Sequence, residues 1–459
     1  MTKSIQIRRS KFRRVYLPLT ITVIGLASVG AWLGYSQSVG NTETRQLFGK
    51  LKNAASTSSG FRNEYQKLVD AGEPTSIAEV LGEPIANEKN AAYFLVRAAA
   101  YSYGIPVRSK TRGSYGEEDF LKLANAVFDE KTIGDLEALD ESEMRLRMHA
   151  ELDRFFECSK HRSVFTHVSQ LSLFDLTYPM RILREEAIAA YEKDDFEKVA
   201  ELALKILKIG RVANFEPCQR RFVVSHICIF TGVKFMYLAM HHAKLSDSLQ
   251  TKLNRELELL NRSDSMVQMV QWDRAKYIQS RLANNGVPIQ WAFPDQTKLV
   301  KWFNHHVKIA KKPWYGYWPN HKSGLFEDEY STCRRTFDSY TEGQQHHSRE
   351  LSLVRSLIVL AAIEKHESKN GPLDLAKIDQ LKLEDSVLLD PFCGDPLKIE
   401  RQANGWKIYS PGIPPEGELN FIDWSSAGQS SLGKLIGVGP DDPWLKHREE
   451  EKAASAASQ

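Results

Sequence analysis

Lys298, Lys301, His305, Lys308 and Lys312 are spaced three, four, three and four residues apart, which lines them up as one stripe on a helix. Val300, Phe303, Val307 and Ala310 fall on another face, so the segment from Thr297 to Lys312 reads as an amphipathic helix with a cationic edge. The run that follows carries Trp314, Tyr315, Tyr317 and Trp318, aromatic groups suited to stacking on sugar rings or lying at a lipid headgroup layer. Together they form a candidate surface for binding an anionic partner. The alternative is a solvated lysine face over a helix packed by its other side, with the aromatics filling a loop-covered core.

Three histidine pairs, His241-His242, His305-His306 and His346-His347, raise the question of a metal. Neighbours on a helix point about 100° apart and cannot chelate one ion without ligands from elsewhere, so the sequence predicts no metal site and no cofactor. His347 and Glu350 stand one turn apart, as in some helical-bundle metal sites, but the carboxylates such sites draw from other helices cannot be picked out. Gly428 to Lys434 fits most of a phosphate-loop pattern, yet Leu435 stands where a hydroxyl would ligate magnesium. No Gly-x-Ser-x-Gly, His-Glu-x-x-His or EF-hand loop occurs, and no residue is assigned a catalytic role. Cys158, Cys218, Cys228, Cys333 and Cys393 are scattered without a Cys-x-x-Cys, which argues against a zinc ribbon or redox motif and favours small buried hydrophobes.

The elements that must position these groups begin with the chain's first residues. Residues 1–14 hold six cations and no acid, so the basic balance belongs to this tail, and the rest of the chain carries a net charge of −3. Residues 15–35 are 21 uncharged residues, long enough at about 1.5 Å each to cross a hydrocarbon core of about 30 Å. The cations stay on the cytoplasmic side, which predicts a single-pass anchor in the inner membrane with the bulk of the chain outside the cytoplasm. A cleavable signal peptide is the rival reading, because Val29-Gly30-Ala31 is a passable cleavage site. The acidic balance of the outer part and its compartment argue against nucleic acid as a partner.

From about residue 44 to residue 369 apolar residues recur at three and four, which predicts helices. Ser76 to Glu79 has the form of a capping box before a short helix stopped by Gly82 and Pro84. Residues 87–103 predict a helix closed by Gly104 and Pro106, and residues 183–213 a helical hairpin turning at Asp194-Asp195. Residues 222–240 are apolar enough to suggest a second crossing, but Lys234 near the middle points to a buried helix of the body instead.

The last ordered module is the one strong β signal. Residues 351–363 are apolar almost all round and predict a buried helix. After Asn370-Gly371-Pro372 comes Asp390-Pro391-Phe392-Cys393-Gly394-Asp395-Pro396, and then a hairpin with Leu397 and Ile399 on one arm, Trp406 and Ile408 on the other, and Asn404-Gly405 as a type I′ turn. The two aspartates read as turn formers. With Gly405-Trp406-Lys407-Ile408-Tyr409-Ser410-Pro411-Gly412, this stretch resembles the C-terminal half of the type II secretion major pseudopilins. It resembles more closely a group of uncharacterised, membrane-anchored, mainly helical planctomycete proteins, which share motifs like Gly72-Glu73-Pro74 and Asn90-Ala91-Ala92. The pseudopilin calcium segment is replaced here by Ile413-Pro414-Pro415-Glu416-Gly417, and the resemblance implies no activity.

The expected organisation is therefore mainly α: a cytoplasmic basic tail at 1–14, a transmembrane helix at 15–35, and a helical bundle or irregular helical-hairpin body at 44–345. A small helix-plus-hairpin module follows at 346–424 and a flexible tail at 425–459. The expected function is non-catalytic binding of another protein or of an envelope surface. The alternatives are an envelope hydrolase or carbohydrate-acting enzyme, with a pocket near residues 314–318, and a component of a secretion or pilus-like apparatus.

Overall fold

The computed structural model describes residues 59–82, 85–109, 124–125, 127–158, 177–213, 219–261, 265–282, 296–311, 331–410, 436–440 and 443–457. The expected anchor at 15–35 and the phosphate-loop-like stretch at 428–434 lie outside them. No helix among the described residues is long and apolar enough to cross a membrane. The chain divides into two compact units, Met1–Ala71 with Ser280–Trp302, and Gly72–Gln279 with Phe303–Gln459.

In the first unit α1 (Ser59–Asp70) buries Phe61 and Leu68, and Lys67 pairs with Glu64 one turn earlier at 2.9 Å. The second unit is mainly helical with a small antiparallel sheet. α2 (Ile77–Leu81) starts at Ser76, whose hydroxyl accepts the Glu79 N–H at 3.2 Å. The reciprocal bond goes one residue further back than a capping box predicts, because the Glu79 carboxylate accepts the Thr75 N–H at 2.7 Å. α3 (Ala91–Ser109) is capped by Asn90, whose side chain accepts the Ala92 N–H. It runs on through Gly104 and Pro106 rather than ending there. Its first three turns are locked by burial of Leu95, Val96, Ala98, Ala99 and Ala100, which overrides the two weak helix formers. α4 (Glu130–Ala138) and α5 (Glu141–Cys158) follow, α5 packing on α3 through the Arg97–Glu151 ion pair at 2.9 Å.

The predicted hairpin is present as α6 (Thr177–Glu192) and α7 (Phe196–Ala213), with Asp194 in the left-handed region at φ 59° and Asp195 accepting the Lys198 N–H as N-cap. Val199, Leu202, Ala203, Ile206 and Leu207 form the buried face. α7 packs against α8 (Gln219–His242) as the most extensive helix pair. Two glycines set how closely the axes approach: a Cβ on Gly210 would lie 2.7 Å from Ile229 Cγ1, and one on Gly232 would lie 2.7 Å from Leu207 Cγ. α8 is the buried central helix that its apolar sequence and Lys234 together predict. Lys234 is 3 % exposed and donates from Nζ to the Gly437 carbonyl at 3.2 Å.

α9 (Asp247–Asn261) follows in the second unit, and then come α10 (Ser265–Leu282) and α11 (Gln296–Ala310), whose residues divide between the two units at 279/280 and 302/303. α12 (Ser331–Asn370) is 40 residues long, about 60 Å of helix, and crosses the boundary expected at residue 346. It packs on α8, α9 and the sheet. A short 3-10 helix (Leu375–Leu381) and α13 (Asp385–Leu388) lead to the hairpin of β1 (Lys398–Gln402) and β2 (Gly405–Ser410), in register Ile399↔Ile408 and Gln402↔Gly405. The hairpin stands as predicted, but its turn is Ala403-Asn404, one residue earlier, and only Gly405 has a positive φ, of 132°, so the type I′ turn is corrected.

The stretch expected to be a flexible tail contains two further elements. β3 (Ile436–Val438) adds to β2 with Ile408↔Val438, and α14 (Pro443–Ala457) packs on α8. Gly437 allows the strand to seat, since a Cβ there would lie 2.1 Å from the Ile408 carbonyl oxygen. Val438 and Leu445 are fully buried, which offsets the polar composition around them.

Candidate functional site

α11 presents the cationic stripe much as its spacing predicts. Lys298, Lys301 and Lys308 are exposed and His305 is half-buried, while Leu299, Val300, Trp302, Phe303 and Val307 are buried on the opposite side. Lys311, beside the stripe, is drawn to Glu73 at 3.1 Å. Lys312, Trp314, Tyr315, Tyr317 and Trp318 lie outside the described residues, so the aromatic half of the candidate surface stays an expectation.

Glu73 belongs to a structural node. Arg274 of α10, 1 % exposed, donates to it at 2.8 Å and to the Asn304 side chain at 2.8 Å, and Gln271 adds a third bond to the same carboxylate at 3.0 Å. Burial alone would raise the Glu73 carboxyl, but the bonds from Arg274, Gln271 and Lys311 outweigh it and hold it at about 2. The Gly-Glu-Pro and Asn-Ala-Ala motifs therefore act here as an ion-pair anchor and a helix cap.

The seam between α8 and α12 holds groups that sequence spacing only half reveals. His226 of α8 and His346 of α12 meet with ring centroids 4.7 Å apart and planes tilted by 56°, and neither Nδ1 has a hydrogen-bond partner among the described residues. Burial, aided by the charge of Arg349, holds His346 down at about 4, and burial with Arg355 does the same to His347. His226 is pushed down by burial first and then by His346. Glu350, 1 % exposed with both carboxylate oxygens unpartnered among the described residues, is raised by burial to about 8. Further along α12, burial and then Glu367 raise Glu364 to about 7. Burial thus favours the uncharged form of these imidazoles and of the Glu350 carboxyl at neutral pH. His226 stands out in the sequence only as a polar residue in an apolar helix.

The His241-His242 pair meets a carboxylate from elsewhere in the chain. Glu449 of α14 faces His241 and His242 at the end of α8, and one ligand atom from each lies within 4.8 Å of the others, the single such triplet among the described residues. Adjacent histidines need a ligand from elsewhere to hold an ion, and at this pair α14 brings a carboxylate close to both.

In the C-terminal module Asp390 is a turn former, as predicted. Fully buried, its carboxylate accepts the Phe392 N–H at 3.0 Å, the Ser410 hydroxyl at 2.8 Å and the Cys393 thiol at 3.1 Å. Burial and the Asp390 carboxylate push the half-buried Cys393 thiol up to about 12, and burial does the same to the buried Cys228, so both stay thiols at neutral pH. Cys158, Cys228 and Cys393 are free. Comparison with family models, with curated proteins and with solved structures found no match to this chain.

Proposed function

We propose that this chain is a single-pass inner-membrane protein whose mainly helical body projects outside the cytoplasm and binds an anionic envelope surface without catalysis. The observation that carries the reading is the line of exposed Lys298, Lys301 and Lys308 on α11, whose opposite face is buried, so the stripe is held rigidly towards solvent. The cationic tail and the apolar segment 15–35 supply the anchor and its orientation. The resemblance to membrane-anchored planctomycete proteins supports the same placement.

The test has two arms. A reporter fused after residue 459 must be active only outside the cytoplasm. Full-length protein must also bind vesicles rich in anionic lipid, losing affinity with added salt, and K298E/K301E/K308E must abolish that binding with the fold unchanged. A cytoplasmic reporter, or binding indifferent to charge reversal, overturns the reading. A second reading, an envelope hydrolase, is favoured by the perturbed seam of His226, His346 and Glu350. It displaces the first if hydrolysis of envelope glycan fragments is lost in His346→Ala and retained in the lysine variant.

A further inference from the structure

The C-terminal helix brings a carboxylate to two histidines that the chain places more than two hundred residues earlier. His242 Nε2 lies 3.5 Å and His241 Nε2 3.9 Å from the same oxygen of Glu449. The two imidazoles are 5.0 Å apart between centroids with planes at 85°, so they approach that oxygen from different directions. We propose that His241, His242 and Glu449 form a binding site for a divalent transition metal, zinc being the ion that its donors suit best.

Two imidazole nitrogens and one carboxylate oxygen are zinc donors, whereas magnesium and calcium take oxygen sets. Tetrahedral zinc, with bonds of about 2.0–2.1 Å, holds its donors about 3.3 Å apart, so both histidine-to-carboxylate separations are within about 0.6 Å of the bound geometry. Side-chain rotation, chiefly of Glu449 and His241, closes the remaining gap, since the three donor atoms already lie within 4.8 Å of one another. The Glu449 and His242 side chains are 41 % and 29 % exposed, which lets an ion enter from solvent without opening the fold.

The surroundings hold the ligands in a usable state. The His242 ring is stacked on Phe196 at 4.8 Å and 12°, with Tyr191 at 5.7 Å, which fixes its plane. Lys452 is one turn beyond Glu449 and would repel an ion if left unbalanced. Its ammonium is instead paired with Asp194 and sits over the Tyr191 ring at 4.6 Å. Three protein donors leave one position for water, and the bound ion ties α14 to the end of α8.

The test uses the full-length chain stripped with EDTA and titrated with zinc, with cobalt as a spectroscopic stand-in. One ion per chain is expected, with Glu449→Gln and His242→Ala each weakening binding at least about tenfold, since even outer-shell losses cost that much. His447, paired with Glu451 on the exposed side of the same helix, is the control, and His447→Ala must leave binding unchanged. A readout free of variants uses the native chain: zinc must shield His241 and His242, but not His447, from acylation by diethyl pyrocarbonate. Absence of zinc binding, equal affinity in the ligand variants, or equal acylation of all three histidines with and without zinc overturns the site.

Discussion

Glu350→Gln should stabilise the protein at neutral pH, by an amount that grows as pH rises. The carboxyl is 1 % exposed, has no hydrogen-bond partner among the described residues and is raised by burial from 4.5 to about 8. Between those values the unfolded chain releases the proton and the folded chain keeps it, so the folded state binds more protons and stability falls as pH rises. At pH 7 the gap of about 2.5 units corresponds to about 3 kcal/mol at 1.36 kcal/mol per unit. Glutamine keeps the shape of the neutral acid and does not titrate. Urea unfolding of both chains should therefore agree near pH 4.5 and diverge to about 3 kcal/mol at pH 7, levelling off above about pH 8. His346 and His347 serve as an internal control. Their folded pKa values of about 4 lie below the ordinary 6.5, so their contribution is present above pH 6.5 and lost as pH falls through 4. That acid limb must survive in Glu350→Gln. A stability difference that is flat between about pH 5 and pH 8 would refute the argument, because it would mean that Glu350 titrates as an ordinary carboxyl.

Glu73→Gln should destabilise the second unit by about 3 kcal/mol or more, read by urea unfolding, because it leaves the buried Arg274 guanidinium without its counter-charge. The Glu73 carboxyl is depressed to about 2, so the stabilisation it brings is present above pH 4.5 and lost as pH falls through about 2, a limb the variant should lack. Truncation after residue 435 should cost stability in the helical body as well as removing β3 and α14, because it takes the Gly437 carbonyl away from buried Lys234. Adding Lys234→Met to the truncated chain should recover about 1–3 kcal/mol in the same assay, and no recovery would show that Lys234 does not depend on β3.

Much of the helical body is legible because its signals are local. The α6–α7 hairpin follows from two amphipathic faces and an Asp-Asp turn, and α8 from an apolar run whose central lysine argues against a membrane crossing. Where burial decides, local signals mislead. Gly104 and Pro106 read as a stop, yet the alanine-rich first half of α3 is held by its neighbours strongly enough to carry the helix past them. Asn404-Gly405 reads as a tight turn, but pairing of Gln402 with Gly405 sets the loop one residue earlier. The candidate metal triplet was legible by halves: adjacent histidines were visible, whereas Glu449 lies in a charged stretch with no motif, and only the docking of Trp444 and Leu445 brings it near.

The C-terminal segment resolves an apparent conflict in α8, which is too apolar for a surface helix and carries a lysine too polar for a core. β3 offers the Gly437 carbonyl to Lys234, Trp444 packs edge-on against Phe235 at 5.0 Å, and Glu449 meets His241 and His242 two turns further on. Lys452 then pairs with Asp194 at the α6–α7 turn. These contacts come from one stretch of the C-terminal segment and end on the hairpin that packs beside α8, so Lys234, His241 and His242 each meet a partner delivered by the same segment. His226, about two turns before Lys234 on α8, receives no such partner: its Nδ1 and that of His346 both lack one among the described residues.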